Sequence, residues 1–197
     1  MITEKEILES RKIIKKLIEE GIIIKSDDKF ILFFLEKAKS SLETAKGLFK
    51  LSQNQNLKET LKLSPDYEGY LWTINASYYS MFYAATSLLA KYNHRIKTTQ
   101  GIHSLTYHAL VYYFLDNDQK LTKHLLEQYQ SIEQEAEELL QLAEKEARDN
   151  VEQVKFELTK RREFTYEMGK IAEKNKAETS IKRAEDFLTL ARELIIE

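Results

Sequence analysis

Between Gln119 and Met168 the chain contains neither glycine nor proline. In all 197 residues there are one proline and five glycines. These two residues are the ordinary punctuation of turns, so their scarcity leaves few places where the backbone must change direction. Charged residues make up 31%, and apolar residues recur at helical spacing. The composition therefore predicts an all-α fold. The length fits one domain, 1–197, with a core large enough to need no metal or cross-link. There is no cysteine, which excludes a disulfide framework and a thiolate zinc site.

Local signals place the helices. Thr3 and Glu6 form a capping box, followed by Ile7, Leu8, Ile14, Leu17 and Ile18 at helical spacing, with Gly21 as the stop. A second helix opens at Asp27 or Asp28, with Phe30, Phe33, Phe34, Ala38, Leu42, Ala45, Leu48 and Phe49 as its stripe. The polar segment 52–56 reads as a loop. Ser64, Pro65 and Asp66 carry the strongest helix-start signal: cap, fixed φ and a charge suited to the dipole. That third helix is expected to run to about Tyr92. Thr98 or Thr99 is expected to cap a fourth helix from Gly101 to Leu115, broken at Asp116, Asn117 and Asp118. The last helix is expected to start near Thr179.

The breaker-free stretch reads as one long helix, or two with a joint near Asp149 and Asn150. From Glu127 to Asp149 it carries eight acids against two bases. Such an excess resists burial, so this segment is expected to project from the bundle. The apolar runs Ile22–Ile24 and Phe30–Leu35 are too short to span a bilayer. The N-terminus lacks the apolar run and cleavage site of a signal peptide. The expectation is a soluble, cytoplasmic protein with no membrane partner. A net charge of −2 excludes a grossly basic nucleic-acid coat but not a local basic groove.

The densest block is Asn75 to Ala85, where Tyr78, Tyr79, Met81, Phe82 and Tyr83 alternate with Ala and Ser. Small residues let a neighbouring helix approach and rings supply buried area, so Asn75, Tyr78, Tyr79, Phe82 and Tyr83 are expected in the core or at a dimer seam. The block from Tyr78 to Ala85 resembles the motif of the HEPN superfamily (higher eukaryote and prokaryote nucleotide-binding domain). The likeness is to an uncharacterised prokaryotic branch related to HEPN toxins. Supporting segments are Lys15 to Gly21, Phe34 to Ala45, the loop from Lys97 to Gly101, Arg161 to Tyr166, and a terminal helix from Arg183 to Leu194. The resemblance implies an up-and-down bundle of five to seven helices, homodimerisation, RNA or nucleotide binding, and a nucleotidyltransferase partner as in toxin–antitoxin pairs. Segment 125–150 is a charged helical insertion relative to that family. The chain departs from the pattern at Ala76, where a basic residue is common, at Thr99, where the loop has His, and at Thr165, where Asp is usual.

Many ribonucleases of that superfamily use Arg followed at four to six residues by His. No Arg here has a His at that spacing. Arg161 is followed by Tyr166, whose phenol titrates near 10 and is a poor acid–base group at neutral pH. The catalytic candidates are Arg161, Tyr166 and His103. Binding candidates are Lys160, Arg161 and Arg162, together with Arg95 and Lys97 in the basic turn from Lys91 to Lys97. His103 and His108 are five apart and do not share a helix face, and no Glu-x-x-His pair occurs, so neither a metal site nor a cofactor is expected. The first functional expectation is a dimeric binder of RNA or a nucleotide without robust ribonuclease activity. The second is a metal-independent endoribonuclease toxin with a non-standard Arg/Tyr site. The third is a non-catalytic interaction scaffold using the acidic insertion.

Overall fold

The computed structural model describes residues 2–98, 100–117, 121–152 and 159–196, and the side chains of these except 117 and 139–172. The fold is an all-α helical bundle. Its elements are α1 (Glu4–Glu19), β1 (Ile23–Ile24), α2 (Lys29–Gln53), α3 (Gln55–Thr60), α4 (Tyr70–Lys91), β2 (Arg95–Ile96), α5 (Ile102–Leu110), a π-helical turn (Val111–Asn117), α6 (Lys123–Glu152) and α7 (Thr159–Ile196).

Helix α4 is the axle. It packs against α2, α5, α6 and α7. A helix apolar around most of its girth has to be enclosed, and α4 buries Ile74, Tyr78, Met81, Phe82, Ala84, Ala85, Leu88 and Leu89 on several sides. Its small residues face its neighbours inside the same chain. Ser77, Ser80, Ala84 and Ala85 are fully buried, opposite buried Ala38 and Ala45 of α2. The Ser80 hydroxyl donates to the Ala38 carbonyl at 2.8 Å, and Ser87 donates to the Ile31 carbonyl at 2.7 Å. At the other end the Gly69 N–H donates to Ser52 Oγ at 2.7 Å. These partners run in opposite order along the two helices, so α2 and α4 are antiparallel.

Helix ends follow the sequence in part. The Thr3–Glu6 capping box is formed, with Thr3 N–H donating to Glu6 at 2.8 Å. Gly21 takes φ +68° just past α1, a conformation that suits glycine. Ser64 does not start α4. Its hydroxyl donates to the Asp66 carboxylate instead, and Tyr67 N–H closes a turn onto the Ser64 carbonyl. The buried Lys58 ammonium fixes that turn by donating to the Pro65 carbonyl at 3.0 Å. Helix α4 begins only at Tyr70. Within the expected loop 52–56, Asn54 accepts from Leu57 N–H and caps the short α3. Thr179 lies inside α7 rather than at its start, its hydroxyl donating back to the Asn175 carbonyl. A two-residue antiparallel ribbon pairs Ile23 with Ile96 and Ile24 with Arg95, tying the α1–α2 connector to the α4–α5 turn.

The expectation that the acidic segment projects is corrected for its described half. Leu126, Tyr129, Ile132 and Ala136 of α6 are buried in the core. They recur every three or four residues, so one thin stripe goes inward while the acids line the other faces. Tyr129 packs against Phe187 of α7 at 5.7 Å between ring centroids. Arg183 of α7 donates to Glu135 of α6 at 2.9 Å. The remainder of the segment lies outside the described side chains.

The α2–α4 seam leads to a test. Ser80→Leu adds volume where two backbones meet, and should destabilise by about 1–3 kcal/mol. Ser80→Ala loses only the bond to Ala38 and should cost about 1 kcal/mol. Urea denaturation gives both values; equal midpoints for the two variants would argue against a close-packed seam.

Candidate functional site

Rings line up from α2 across α4 to α5. Phe30 and Phe34 stack at 6.0 Å, Phe34 and Tyr83 at 6.1 Å, Tyr83 and Tyr79 lie at 5.9 Å, and Tyr79 meets His103 edge-on at 5.9 Å. Helical spacing sets this row: Phe30 and Phe34 are one turn apart on α2, as are Tyr79 and Tyr83 on α4. Phe33 joins Phe34 edge-on at 5.1 Å. The row reaches solvent, because Phe33 is 52% exposed and Tyr79 41%. Trp72, 58% exposed, lies two turns before Tyr79 on the same stripe of α4. Cations accompany the rings. The Arg95 guanidinium lies 4.2 Å from the Phe30 centroid, with the Lys29 ammonium at 5.3 Å and Lys37 at 5.8 Å from Phe33.

At its far end the row meets a polar cluster. His103 packs against Phe82 at 4.5 Å, and its Nδ1 is 2.7 Å from the Tyr78 hydroxyl. That hydroxyl is also 3.4 Å from Glu133 Oε1 of α6. Burial, then the charge of Glu137, raises the Glu133 carboxyl to about 7, with the Tyr78 bond opposing. Burial lowers His103, which Glu137 partly offsets. The Tyr78 phenol is raised, first by burial and then by Glu133. Tyr129 is fully buried beside them and is raised well above its ordinary value by the same burial. Its hydroxyl makes no hydrogen bond of good geometry.

Behind this cluster a cleft of about 310 Å³ opens between α1, α5 and α6. Among the described residues its walls include Glu6, Glu9, Glu133 and Glu137, and no Lys or Arg. Such a wall repels phosphate. Burial pushes Tyr107 on its rim up to about 12 and lowers His108, whose Nδ1 is 2.9 Å from the Ser10 hydroxyl. Among the described residues no three His, Asp or Glu side chains converge as a metal site. Among the same residues no helix is long and apolar enough to cross a membrane.

The structure sorts the sequence candidates. Asn75, Tyr78 and Phe82 are buried within the chain, Tyr83 is half-buried, and Tyr79 is exposed. Asn75 donates to the Leu71 carbonyl of its own helix. The basic turn is partly structural: Lys91 donates to the Ile195 carbonyl at 2.6 Å, and His94 stacks on Tyr113 at 3.7 Å. Burial lowers His94. Lys91, Arg95 and Lys97 are all exposed there. The side chains of Lys160, Arg161, Arg162 and Tyr166 lie outside the described residues. Sequence reasoning missed Glu133, Lys29 beside Phe30 and Lys37 beside Phe33, while Arg95 was among its candidates. Glu133 was legible as an acid in phase with Tyr129, Ile132 and Ala136, the buried stripe of α6. No family model, curated protein or solved structure matches the chain.

The cluster has measurable consequences. A carboxyl raised to about 7 holds its proton in the folded state after the unfolded chain has lost it, so between roughly pH 4.5 and 7 the unfolded state binds fewer protons. Stability from this group therefore falls as pH rises through that window. Glu133→Gln should remove the fall: wild type and variant melt alike near pH 4.5, and the variant melts higher above pH 7. An unchanged pH profile would contradict the burial argument. Tyr129→Phe deletes a buried hydroxyl that adjoins Tyr78 without good hydrogen-bond geometry and should be close to neutral, within about 1 kcal/mol, whereas Tyr129→Ala should cost about 3–5 kcal/mol. Thermal melts of the two variants check this.

Proposed function

We propose that the chain is a dimeric, HEPN-like binder of RNA or a nucleotide, and that the exposed ring row of α2 and α4 is its contact surface. The observation that carries this reading is a ring row that reaches solvent at Phe33 and Tyr79 and carries cations along it, Arg95 and Lys29 beside Phe30 and Lys37 beside Phe33. Flat rings accept any base face, and adjacent cations accept the backbone, so such a surface suits single strands with little sequence preference. Duplex DNA would instead need an element shaped for a groove. The acidic cleft of α1, α5 and α6 turns phosphate away and directs a strand to the opposite side of α4.

The superfamily reading rests on the sequence motif from Tyr78 to Ala85, and the nucleotidyltransferase partner and toxin–antitoxin role rest on that resemblance. The small residues offered as a dimer seam are used up inside the chain against α2. Among the described residues the exposed face of Trp72 and Tyr79 offers a homodimer an apolar surface, as does Leu32 of α2, 68% exposed. That apolar exposure favours the interaction-scaffold reading as the alternative. A ribonuclease centred on Arg161 and Tyr166 gains no support from the described residues.

Fluorescence anisotropy with a labelled single-stranded RNA should separate these readings. Phe33→Ala and Tyr79→Ala should each weaken binding by roughly 5- to 150-fold, the loss of about 1–3 kcal/mol per stacked base. Arg95→Ala should weaken binding to all sequences alike and reduce the salt slope by about 1. Light scattering on the same samples reports assembly. No RNA or nucleotide binding, with a dimer lost on Tyr79→Ala, would replace the binding reading by the scaffold.

A further inference from the structure

The Tyr129 hydroxyl adjoins that of Tyr78, whose one hydrogen has two acceptors competing for it: His103 Nδ1 at 2.7 Å and Glu133 Oε1 at 3.4 Å. An ionised carboxylate can only accept, whereas a protonated carboxyl can donate. With Glu133 ionised, the hydroxyl hydrogen turns to the carboxylate. The Tyr78 oxygen then accepts from Nδ1–H, and the proton of the neutral imidazole resides on Nδ1. Nε2 is left as a bare acceptor. With Glu133 protonated, the carboxyl donates to the Tyr78 oxygen, the hydroxyl donates to Nδ1, and the imidazole proton resides on Nε2. One proton enters at Glu133, and the single imidazole proton moves between its nitrogens through solvent. Among the described residues, the ring's hydrogen bond is made at Nδ1.

We propose that Glu133 sets, through Tyr78, whether Nε2 of His103 accepts or donates a hydrogen bond to a ligand on the adjoining ring row. His103 is half-buried and lies edge-on to exposed Tyr79, so it stands at the end of that surface. In the donor form Nε2–H suits an anionic phosphate oxygen; in the acceptor form it suits a hydroxyl or amino group. The titration is framed from every side. Tyr78 faces Glu133 from α4, Tyr129 of α6 stands buried beside both, and Tyr107 and His108 line the cleft from α5. Glu6 and Glu9 do so from α1, with Glu137 one turn along α6. No Lys or Arg stands among these cleft residues to favour the carboxylate. The switch therefore falls near neutrality, in keeping with the raised Glu133 carboxyl. His103 itself, lowered by burial, gains its second proton further to the acid side. The ligand half of the proposal rests on the nucleotide-binding reading; the hydrogen-bonded chain does not.

The full chain labelled with ¹⁵N-histidine shows the tautomer directly by long-range ¹H–¹⁵N NMR from pH 5.5 to 9. In the wild type, His103 Nε2 should move from a protonated, pyrrole-like shift to an unprotonated, pyridine-like shift as pH rises, with its midpoint near neutral. Imidazolium is recognised because both nitrogens are then protonated. Glu133→Gln and Tyr78→Phe should each abolish the neutral-range transition; two independent variants guard against one that folds poorly, and circular dichroism checks both. A fixed tautomer in the wild type, or a transition that persists in both variants, overturns the proposal. An RNA trinucleotide, whose phosphodiesters stay singly charged throughout, supplies the second arm. It should bind roughly 2- to 10-fold more tightly at pH 6.5 than at pH 8.5, the worth of one hydrogen bond, and Glu133→Gln should remove the difference. Binding without that difference overturns the ligand half. A normal tautomer transition with no trinucleotide binding overturns the nucleotide-binding reading and leaves the chain standing.

Discussion

The close approach of α2 and α4 is the contact on which the rest of the structure depends. Two helices can meet at short distance only where their facing side chains are small. Here Ala38 and Ala45 face Ser77, Ser80 and Ala84, all buried. Serine at such a contact introduces a hydroxyl that would be unpaired in a dry interface. Ser80 and Ser87 resolve this by donating to the carbonyls of Ala38 and Ile31 across the seam. The seam thereby gains direction as well as closeness, because the Ser80 and Ser87 hydroxyls each reach one carbonyl, while the buried Ser77 hydroxyl makes no such bond. A slip along the axis would strand both.

That register fixes the surface. With α2 and α4 held antiparallel at this spacing, the rings flanking the seam fall into one row: Phe30 and Phe34 from one helix, Tyr83 and Tyr79 from the other. The ribbon between Ile24 and Arg95 sets Arg95 at the end of the row, over Phe30. The capped α1 and the Arg11–Asp116 ion pair hold the N-terminal helix against the π-helical turn, with Arg11 Nη2 and Nε donating to the two carboxylate oxygens at 2.8 and 2.9 Å. A bidentate pair fixes orientation as well as distance. The acids Glu6 and Glu9 are thus kept on the cleft side of α5, away from the rings.

Much of this was legible in the residues, and the parts that were not have physical causes. Helix content followed from missing breakers and from periodicity, and α1 from its capping box. The start of α4 was misread because Ser64 and Asp66 satisfy each other, which a pattern of favourable caps cannot reveal. The sequence left the small residues open between the core and a dimer seam, since both require the same spacing, and the structure packs Ser80 against α2 within the chain. The acidic segment was misjudged because its net charge was weighed as a whole, whereas burial is decided stripe by stripe: Leu126, Tyr129, Ile132 and Ala136 go inward whatever their neighbours carry. At the site, His103 and Tyr78 were singled out separately. Their contact with each other and with Glu133 joins positions up to 55 residues apart, and no local signal encodes it.

A net charge of −2 conceals an asymmetry that the fold creates. Cations Lys29, Lys37 and Arg95 accompany the ring row, while Glu6, Glu9, Glu133 and Glu137 line the cleft, and His103 with Tyr78 forms the bridge between them. Opposite potentials separated by one helix layer polarise whatever lies between. A titratable carboxyl placed at the negative end can then influence the positive face without any backbone movement, since only a hydroxyl needs to turn. Burial makes this effective. In water the Tyr78 hydroxyl would exchange partners with solvent and carry no information, whereas with Tyr78 6% exposed its surroundings are His103, Glu133 and the Tyr129 hydroxyl. The property that makes the cluster expensive to bury also gives it a defined direction.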